Sequence, residues 1–263
     1  MKDRGMCGII ASELRPGDFD LALEIGPGLG ALTEFLYPLW RDKLSLVEID
    51  PAMVARIKEK YPSVRVHNAD FMRFDLAANL FLRPPAAADK ASAGPPAEVK
   101  AAFIGNLPYE CSTAILLKTL AFSGFGAAVF MFQKEVAGKI AASAGDFNYG
   151  YLSVAAQVQS RIKLLADVPA GSFSPEPEVD SSVVVFTPVH AFSVPARRDA
   201  FLKFVKNAFS HRRKTLVNSL SLGLCRDKNS VKSVIETAGF DPGIRPQNLS
   251  VRDYLKLAEA FGE

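Results

Sequence analysis

The feature that most constrains the fold is an apolar segment that ends in three alternating glycines. Leu21-Ala22-Leu23-Glu24-Ile25 runs straight into Gly26-Pro27-Gly28-Leu29-Gly30, after which a helical pattern continues to about Tyr37. A short buried strand that turns sharply and hands over to a helix is the opening of a parallel α/β sheet. Gly26 permits the exit from the strand, and Gly28 and Gly30 let main chain approach a ligand closely. The alternation continues with a strand at 44–49, a helix opened by Pro51 and running to about Tyr61, and a strand at 64–67 that leads to Asp70. Further strands are expected at 101–105, 127–132, 161–168 and 182–187, with helices at 112–121, 134–143 and 151–160 between them. From Pro195 onward only helices are expected, at about 196–210, 212–221, 229–238 and 249–261. The expected fold is α/β, a Rossmann-like doubly wound sheet with a small C-terminal all-helical domain.

The glycine loop narrows the ligand without deciding it. Gly26-Pro27-Gly28-Leu29-Gly30-Ala31 satisfies the loose G-x-G-x-x-G/A dinucleotide fingerprint, and Glu48 ends the second strand where a carboxylate can accept two ribose hydroxyls. Both features suit a nicotinamide dinucleotide as well as S-adenosylmethionine. Glu24, directly ahead of the loop, favours the latter, because a ligand ammonium needs a counter-charge there and a pyrophosphate does not. No G-x-x-x-x-G-K-[ST] follows the strand, which argues against a P-loop nucleotidase.

The second constellation is Asn106-Leu107-Pro108-Tyr109, which follows the apolar run Ala101-Ala102-Phe103-Ile104-Gly105. Beyond the carboxyl end of a parallel strand, such residues face the ligand crevice. An exocyclic amine on a base is a weak nucleophile, its lone pair delocalised into the ring. The Asn106 side-chain oxygen and the Leu107 carbonyl can hold that amine while the base stacks on Tyr109. Asn and Pro are also ordinary turn residues, so the tetrapeptide gains its meaning from the glycine loop upstream.

Glu24-Ile25-Gly26-Pro27-Gly28-Leu29-Gly30, Val47-Glu48-Ile49-Asp50, Asn68-Ala69-Asp70, Asn106-Leu107-Pro108-Tyr109 and Phe173-Ser174-Pro175-Glu176-Pro177-Glu178-Val179-Asp180-Ser181 occur in that order. Together they resemble the ribosomal RNA adenine N6-dimethyltransferases of the KsgA type, from about Asp3 to the C-terminus. The resemblance implies transfer of methyl groups from S-adenosyl-L-methionine, leaving S-adenosyl-L-homocysteine, to two adjacent adenosines near the 3′ end of 16S rRNA. It places Glu24, Gly26, Gly28, Gly30, Glu48, Asp70 and Asn106 at the cofactor, with Asp70 on the cofactor's adenine amino group. It places Asn106, Leu107, Pro108 and Tyr109 at the target base and sets Phe173 against that base's other face. The implied organisation is a methyltransferase domain over 1–190 and a helical, RNA-facing domain over 196–263. Residues 83–100, rich in Ala and Pro, read as a mobile surface insertion. Two departures stand out. The chain starts just after the position of a Gly-Gln-x-Phe-Leu segment that in the family helps to cover cofactor and target base, and Glu110 stands where a neutral residue is usual. The alternatives are a large-subunit rRNA adenine methylase of the antibiotic-resistance kind and a ribosome assembly factor with weak or lost transfer.

Charge supports a polyanionic partner. Residues 1–195 carry 18 Lys and Arg against 21 Asp and Glu, whereas residues 196–263 carry 13 against 7. Arg212, Arg213 and Lys214 form the densest basic run and are the candidate RNA contacts. The expected partner is small-subunit rRNA or a precursor of the small subunit. Cys7, Cys111 and Cys225 are scattered, and His67, His190 and His211 share no metal-like spacing, so neither a disulfide framework nor a metal site is expected. No segment approaches the ~18 apolar residues of a membrane span. A monomeric protein of the cytoplasm, with no membrane partner, is the expectation.

Overall fold

The computed structural model describes residues 1–80, 99–189, 191–192, 194–211 and 213–262. The expected insertion, apart from Val99 and Lys100, lies outside the described residues, as do His190 and Arg212.

Strands β1 (Leu21–Ile25), β2 (Leu44–Glu48), β3 (Arg65–Asn68), β4 (Ala101–Asn106), β5 (Phe125–Gln133), β6 (Ser160–Val168) and β7 (Ser181–Pro188) form one sheet in the order β3-β2-β1-β4-β5-β7-β6. The first five strands run parallel and β7 runs antiparallel to β5. This is the Rossmann-like doubly wound architecture, extended past β5 by antiparallel β7 and the edge strand β6. The strand order reverses between β1 and β4, so the crevice opens beyond the carboxyl ends of those two neighbours. Every residue of Ala101–Gly105 and of Phe125–Phe132 is buried, as central strands covered on both faces require.

Chain entry into each helix follows local chemistry. Helix α1 (Arg4–Ser12) is capped by Asp3, whose side chain accepts from the Met6 N–H at 2.9 Å. Helix α2 (Thr33–Trp40) starts later than expected, because residues 26–32 remain in turns around the glycines. Pro51 opens α3 (Pro51–Lys60), with the Asp50 carboxylate accepting from the Ala52 N–H at 2.8 Å. A short helix, α4 (Leu76–Leu80), precedes the insertion, and α5 (Ser112–Ala121) follows Tyr109. One face of the sheet packs Leu46, Ile104, Val129 and Val183 against Leu36 and Trp40 of α2 and Ile10 of α1.

Two compact units divide the chain: 1–137 with 163–188, and 138–162 with 189–263. The division departs from the expected boundary at 190–196, for a packing reason. Helices α6 (Lys134–Ala141) and α7 (Tyr151–Gln157) lead into β6, but Tyr149, Val154 and Val158 are buried with the C-terminal helices. There α8 (Pro195–Phe209), α9 (Leu216–Leu224), α10 (Lys228–Thr237) and α11 (Val251–Phe261) enclose Phe204, Leu220, Ile235 and Leu257. The Tyr149 and Phe209 rings lie 6.2 Å apart, and Phe209 and Tyr254 5.7 Å. Helix α9 begins at Leu216 rather than 212, because the Thr215 side chain caps it, and so Arg213 and Lys214 occupy an exposed turn. Among the described residues no helix is long and apolar enough to cross a membrane.

Candidate active site

A cavity of about 430 Å³ lies at the carboxyl edge of β1, β2, β3 and β4, wholly within the first unit. Its polar groups come from Glu48, Asp70 and Asn106, and Gly26 supplies open main chain. Tyr109 and Pro108 stand on one side, and Ile49 and Met72 flank the opening with exposed apolar side chains.

The glycine loop is held by the second strand. Gly26 N–H donates to the Val47 carbonyl at 2.9 Å, and Gly28 N–H donates to Glu48 Oε2 at 3.0 Å. Glu48 Oε1 accepts from the Asp50 N–H at 3.0 Å. An ionised carboxylate offers about four acceptor sites, so a fixed Glu48 keeps two for a vicinal diol. Gly26 and Gly28 have φ of 65° and 53°, and a Cβ at either would meet nothing within 4 Å. The space in front of them is therefore free, as a bound methionine moiety would need. Gly30 differs: a Cβ there would lie 2.8 Å from Ile57 Cδ1 on α3. Its φ of 79° already favours glycine, and the close approach of α3 adds to that requirement.

Asp70 lines the cavity at the end of β3 and also caps its own turn, with Oδ1 accepting from the Met72 N–H at 2.8 Å. Glu24 departs from expectation in its surroundings. It is buried beneath the loop, is absent from the cavity wall, and accepts at Oε2 from the Thr33 hydroxyl at 2.7 Å. Burial pushes its carboxyl up to about 8, against the opposing bond from Thr33, with the charge of Glu48 adding to the rise.

The fourth strand delivers its tetrapeptide to the same cavity. β4 pairs with β1 through Glu24↔Ile104, so Asn106 emerges beside the glycine loop. Gly105 makes this proximity possible, since a Cβ there would stand 2.8 Å from the Ile25 carbonyl oxygen and 3.0 Å from Leu107 Cδ2. Leu107 is buried, Pro108 exposed and Tyr109 half-buried. The Tyr109 hydroxyl shares a 3.0 Å hydrogen bond with the hydroxyl of buried Ser181, the first residue of β7. Phe173, expected against the target base, is 6% exposed and belongs to the core cluster that holds Trp40 and Val183.

Sequence reasoning missed Cys111 and Ile115 of the cavity wall, Gly105, Ser181, and Lys118 of α5. Only the apolar period of α5 pointed to Ile115. Burial raises the Cys111 thiol, aided by Asp70 and Glu110, which makes it a weak nucleophile at neutral pH. Among the described residues no group of three or more His, Cys, Asp or Glu is placed to share a metal ion.

A sheet of this order, with an acidic residue at the ends of β2 and β3 and a glycine cradle between β1 and α2, defines an S-adenosylmethionine-dependent methyltransferase. The model of the ribosomal RNA adenine dimethylase family matches residues 1–262, and the chain belongs to that family. It is an rRNA adenine dimethyltransferase in class. A Marinobacter nauticus protein described as ribosomal RNA small subunit methyltransferase A is 33% identical over 268 residues, spanning 100% of this chain and 89% of that one. Its namesake from Lactobacillus delbrueckii subsp. bulgaricus is 36% identical over 262 residues, spanning 97% and 86%. Among solved structures, a dimethyladenosine transferase from Plasmodium falciparum aligns with a TM-score of 0.78 at 25% identity, covering 100% of this chain and 97% of that chain. The 23S rRNA methyltransferase ErmE aligns at 0.68 and 26% identity, covering 100% and 99%.

Proposed function

We propose that the protein dimethylates N6 of two adjacent adenosines near the 3′ end of 16S rRNA, acting as a cytoplasmic monomer on small-subunit rRNA or a precursor particle. The observation that carries this reading is the meeting of the glycine loop and the Asn106-Leu107-Pro108-Tyr109 turn at one cavity. S-adenosylmethionine supplies an electrophilic methyl group on a cationic sulfur, with a neutral thioether as leaving group. Alignment in a dry pocket is then the main requirement on the protein. Glu48 accepts the ribose hydroxyls of the donor, and Asp70 accepts its adenine amino group. Gly26 and Gly28 leave room for the methionine end, whose ammonium finds its counter-charge in Glu24 directly or through water. Asn106 and the Leu107 carbonyl hold the target amine, Pro108 stiffens the turn, and Tyr109 stacks the base.

Phosphate contacts come from the second unit. Lys203 and Lys206 of α8 and Arg213 and Lys214 of the following turn are exposed. With Arg212 they supply sequence-independent affinity, while the pocket selects the base. Replacing Arg212, Arg213 and Lys214 with Ala lowers the slope of log affinity against log salt by ~0.7–0.9 for each phosphate that is no longer neutralised. An unchanged slope rules the run out.

The decisive experiment incubates unmethylated small and large subunits separately with the protein and labelled S-adenosylmethionine, then identifies modified nucleosides by mass spectrometry. Dimethyladenosine in 16S rRNA, abolished by Tyr109→Ala, is expected. The likeness to ErmE makes 23S rRNA the specific rival, and label in 23S rRNA alone would replace one reading by the other. The assembly-factor alternative predicts that Tyr109→Ala stops transfer while the biological role in subunit maturation survives.

A further inference from the structure

Lys118 lies outside every motif, yet its ammonium is fully used. From the second turn of α5 it donates to the carbonyls of Phe71 at 2.7 Å, Met72 at 2.9 Å and Phe74 at 2.7 Å. An ammonium has three N–H donors, and these three acceptors account for all of them. The same nitrogen lies 5.2 Å from the centre of the Phe71 ring.

The turn it gathers is the one that begins at Asp70. Arg73 and Phe74 N–H groups both donate back to the Asp70 carbonyl, at 3.0 and 2.9 Å. The turn's own bonding reaches the Phe71 carbonyl only through a 3.3 Å bond from the Phe74 N–H, and Lys118 donates to the carbonyls of Phe71, Met72 and Phe74 alike. Asp70, Phe71 and Met72 line one side of the cavity, and Cys111 and Ile115 of α5 line it too. Ile115 and Lys118 are three residues apart and share a helix face. One helix thus forms part of the cavity wall and, one turn on, ties down the segment that carries Asp70.

We propose that Lys118 is a positioning residue for the methyl donor, setting the spacing between the Asp70–Phe74 turn and α5 and hence the width of the slot for the donor's adenine. The inference rests on the cofactor site proposed above and adds to it a residue that touches no ligand. Without the ammonium, three charge-assisted hydrogen bonds vanish and three carbonyls turn towards water, so the wall that presents Asp70 relaxes.

The test uses the full-length chain and calorimetric titration with S-adenosylhomocysteine. Lys118→Met keeps the aliphatic stem over Phe71 and removes every donor. Its Kd is expected to rise at least tenfold, while kcat at saturating donor and KM for RNA stay within twofold of the parent. 5′-Methylthioadenosine, which has the adenine but no amino acid portion, is expected to weaken by the same factor, and amide exchange over residues 70–75 to accelerate. A purely structural lysine would lower the Tm and leave the Kd for both ligands unmoved. Kd values within twofold of the parent therefore overturn the proposal. Should Lys118→Met fail to fold, Lys118→Arg keeps the charge and the ring contact, but its planar fork cannot serve three converging carbonyls. A three- to tenfold loss of affinity is expected from that variant, and unchanged affinity again overturns the inference. Failure of the parent protein itself to bind S-adenosylhomocysteine would overturn the site reading and this inference with it, and needs no variant to detect.

Discussion

Glu24→Gln isolates one buried proton. The folded protein keeps the Glu24 carboxyl protonated up to about pH 8, because burial disfavours its charge, whereas the ordinary value is 4.5. Between those values the folded state binds more protons than the unfolded state, so stability falls as pH rises and is lost progressively up to about pH 8. Each unit of pH inside that window costs on the order of 1 kcal/mol, or roughly 2–3 kcal/mol from pH 5.5 to 7.5. For a chain of this size that corresponds to roughly 5–10 °C in Tm. The Gln amide has no proton to lose and its oxygen can still accept from Thr33. The variant should therefore match the parent near pH 5.5 and gain on it steadily towards pH 8, above which the gap levels off. Thermal unfolding of both proteins across pH 5.5–9 measures this directly. Parallel curves, or a parent that gains on the variant as pH rises, would refute the argument, since the second is the sign of an ionised, paired carboxylate. Binding extends the test. A carboxyl that becomes the counter-charge of a ligand ammonium must first release its proton. Titration of S-adenosylhomocysteine at pH 7 in buffers of different ionisation enthalpy should accordingly register release of about one proton.

Two further substitutions probe the junction of the strands. Gly105→Ala places a methyl 2.8 Å from the Ile25 carbonyl oxygen, a main-chain atom that cannot swing aside. Overpacking of this kind costs ~1–3 kcal/mol, and kcat should fall by one to two orders of magnitude as Asn106 and Leu107 shift; an unchanged Tm and kcat would sink the claim. Ser181→Ala and Tyr109→Phe each delete the same 3.0 Å hydrogen bond while leaving the ring in place. Each should cost ~0.5–1.5 kcal/mol in stability and lower kcat by about two- to tenfold, and the double variant should be no worse than either single one. Additive losses in a double-mutant cycle would show that the two hydroxyls act separately.

What was legible in the sequence was whatever consecutive residues encode. Pro51 behind Asp50, the all-apolar runs at 101–105 and 127–132, and the switch to helices after Pro195 each specify local structure through caps and periodicity, and the folded chain follows them. The site was legible one step further, because parallel topology carries residues some eighty positions apart to the same edge, as the Glu24↔Ile104 register shows. Illegible was the direction in which each side chain points. Glu24 and Glu48 both lie at the carboxyl ends of apolar strands, next to last in β1 and last in β2, yet one is buried against Thr33 and the other faces the cavity. Phe173 sits in a motif full of turn residues but its ring turns inward to the core. Gly30 reads as part of the ligand cradle, yet a Cβ there would also meet Ile57 on the next helix. Residues 138–159 precede a sheet strand in sequence, but Ala142, Tyr149, Val154 and Val158 are buried among the C-terminal helices. In every case the deciding partner belongs to another element. That is also why the residues that define the cavity most tightly, Gly105 against Ile25 and Lys118 against the Asp70 turn, carry no motif of their own. Their identities answer to the distance between two backbones, a quantity that exists only once the sheet has closed.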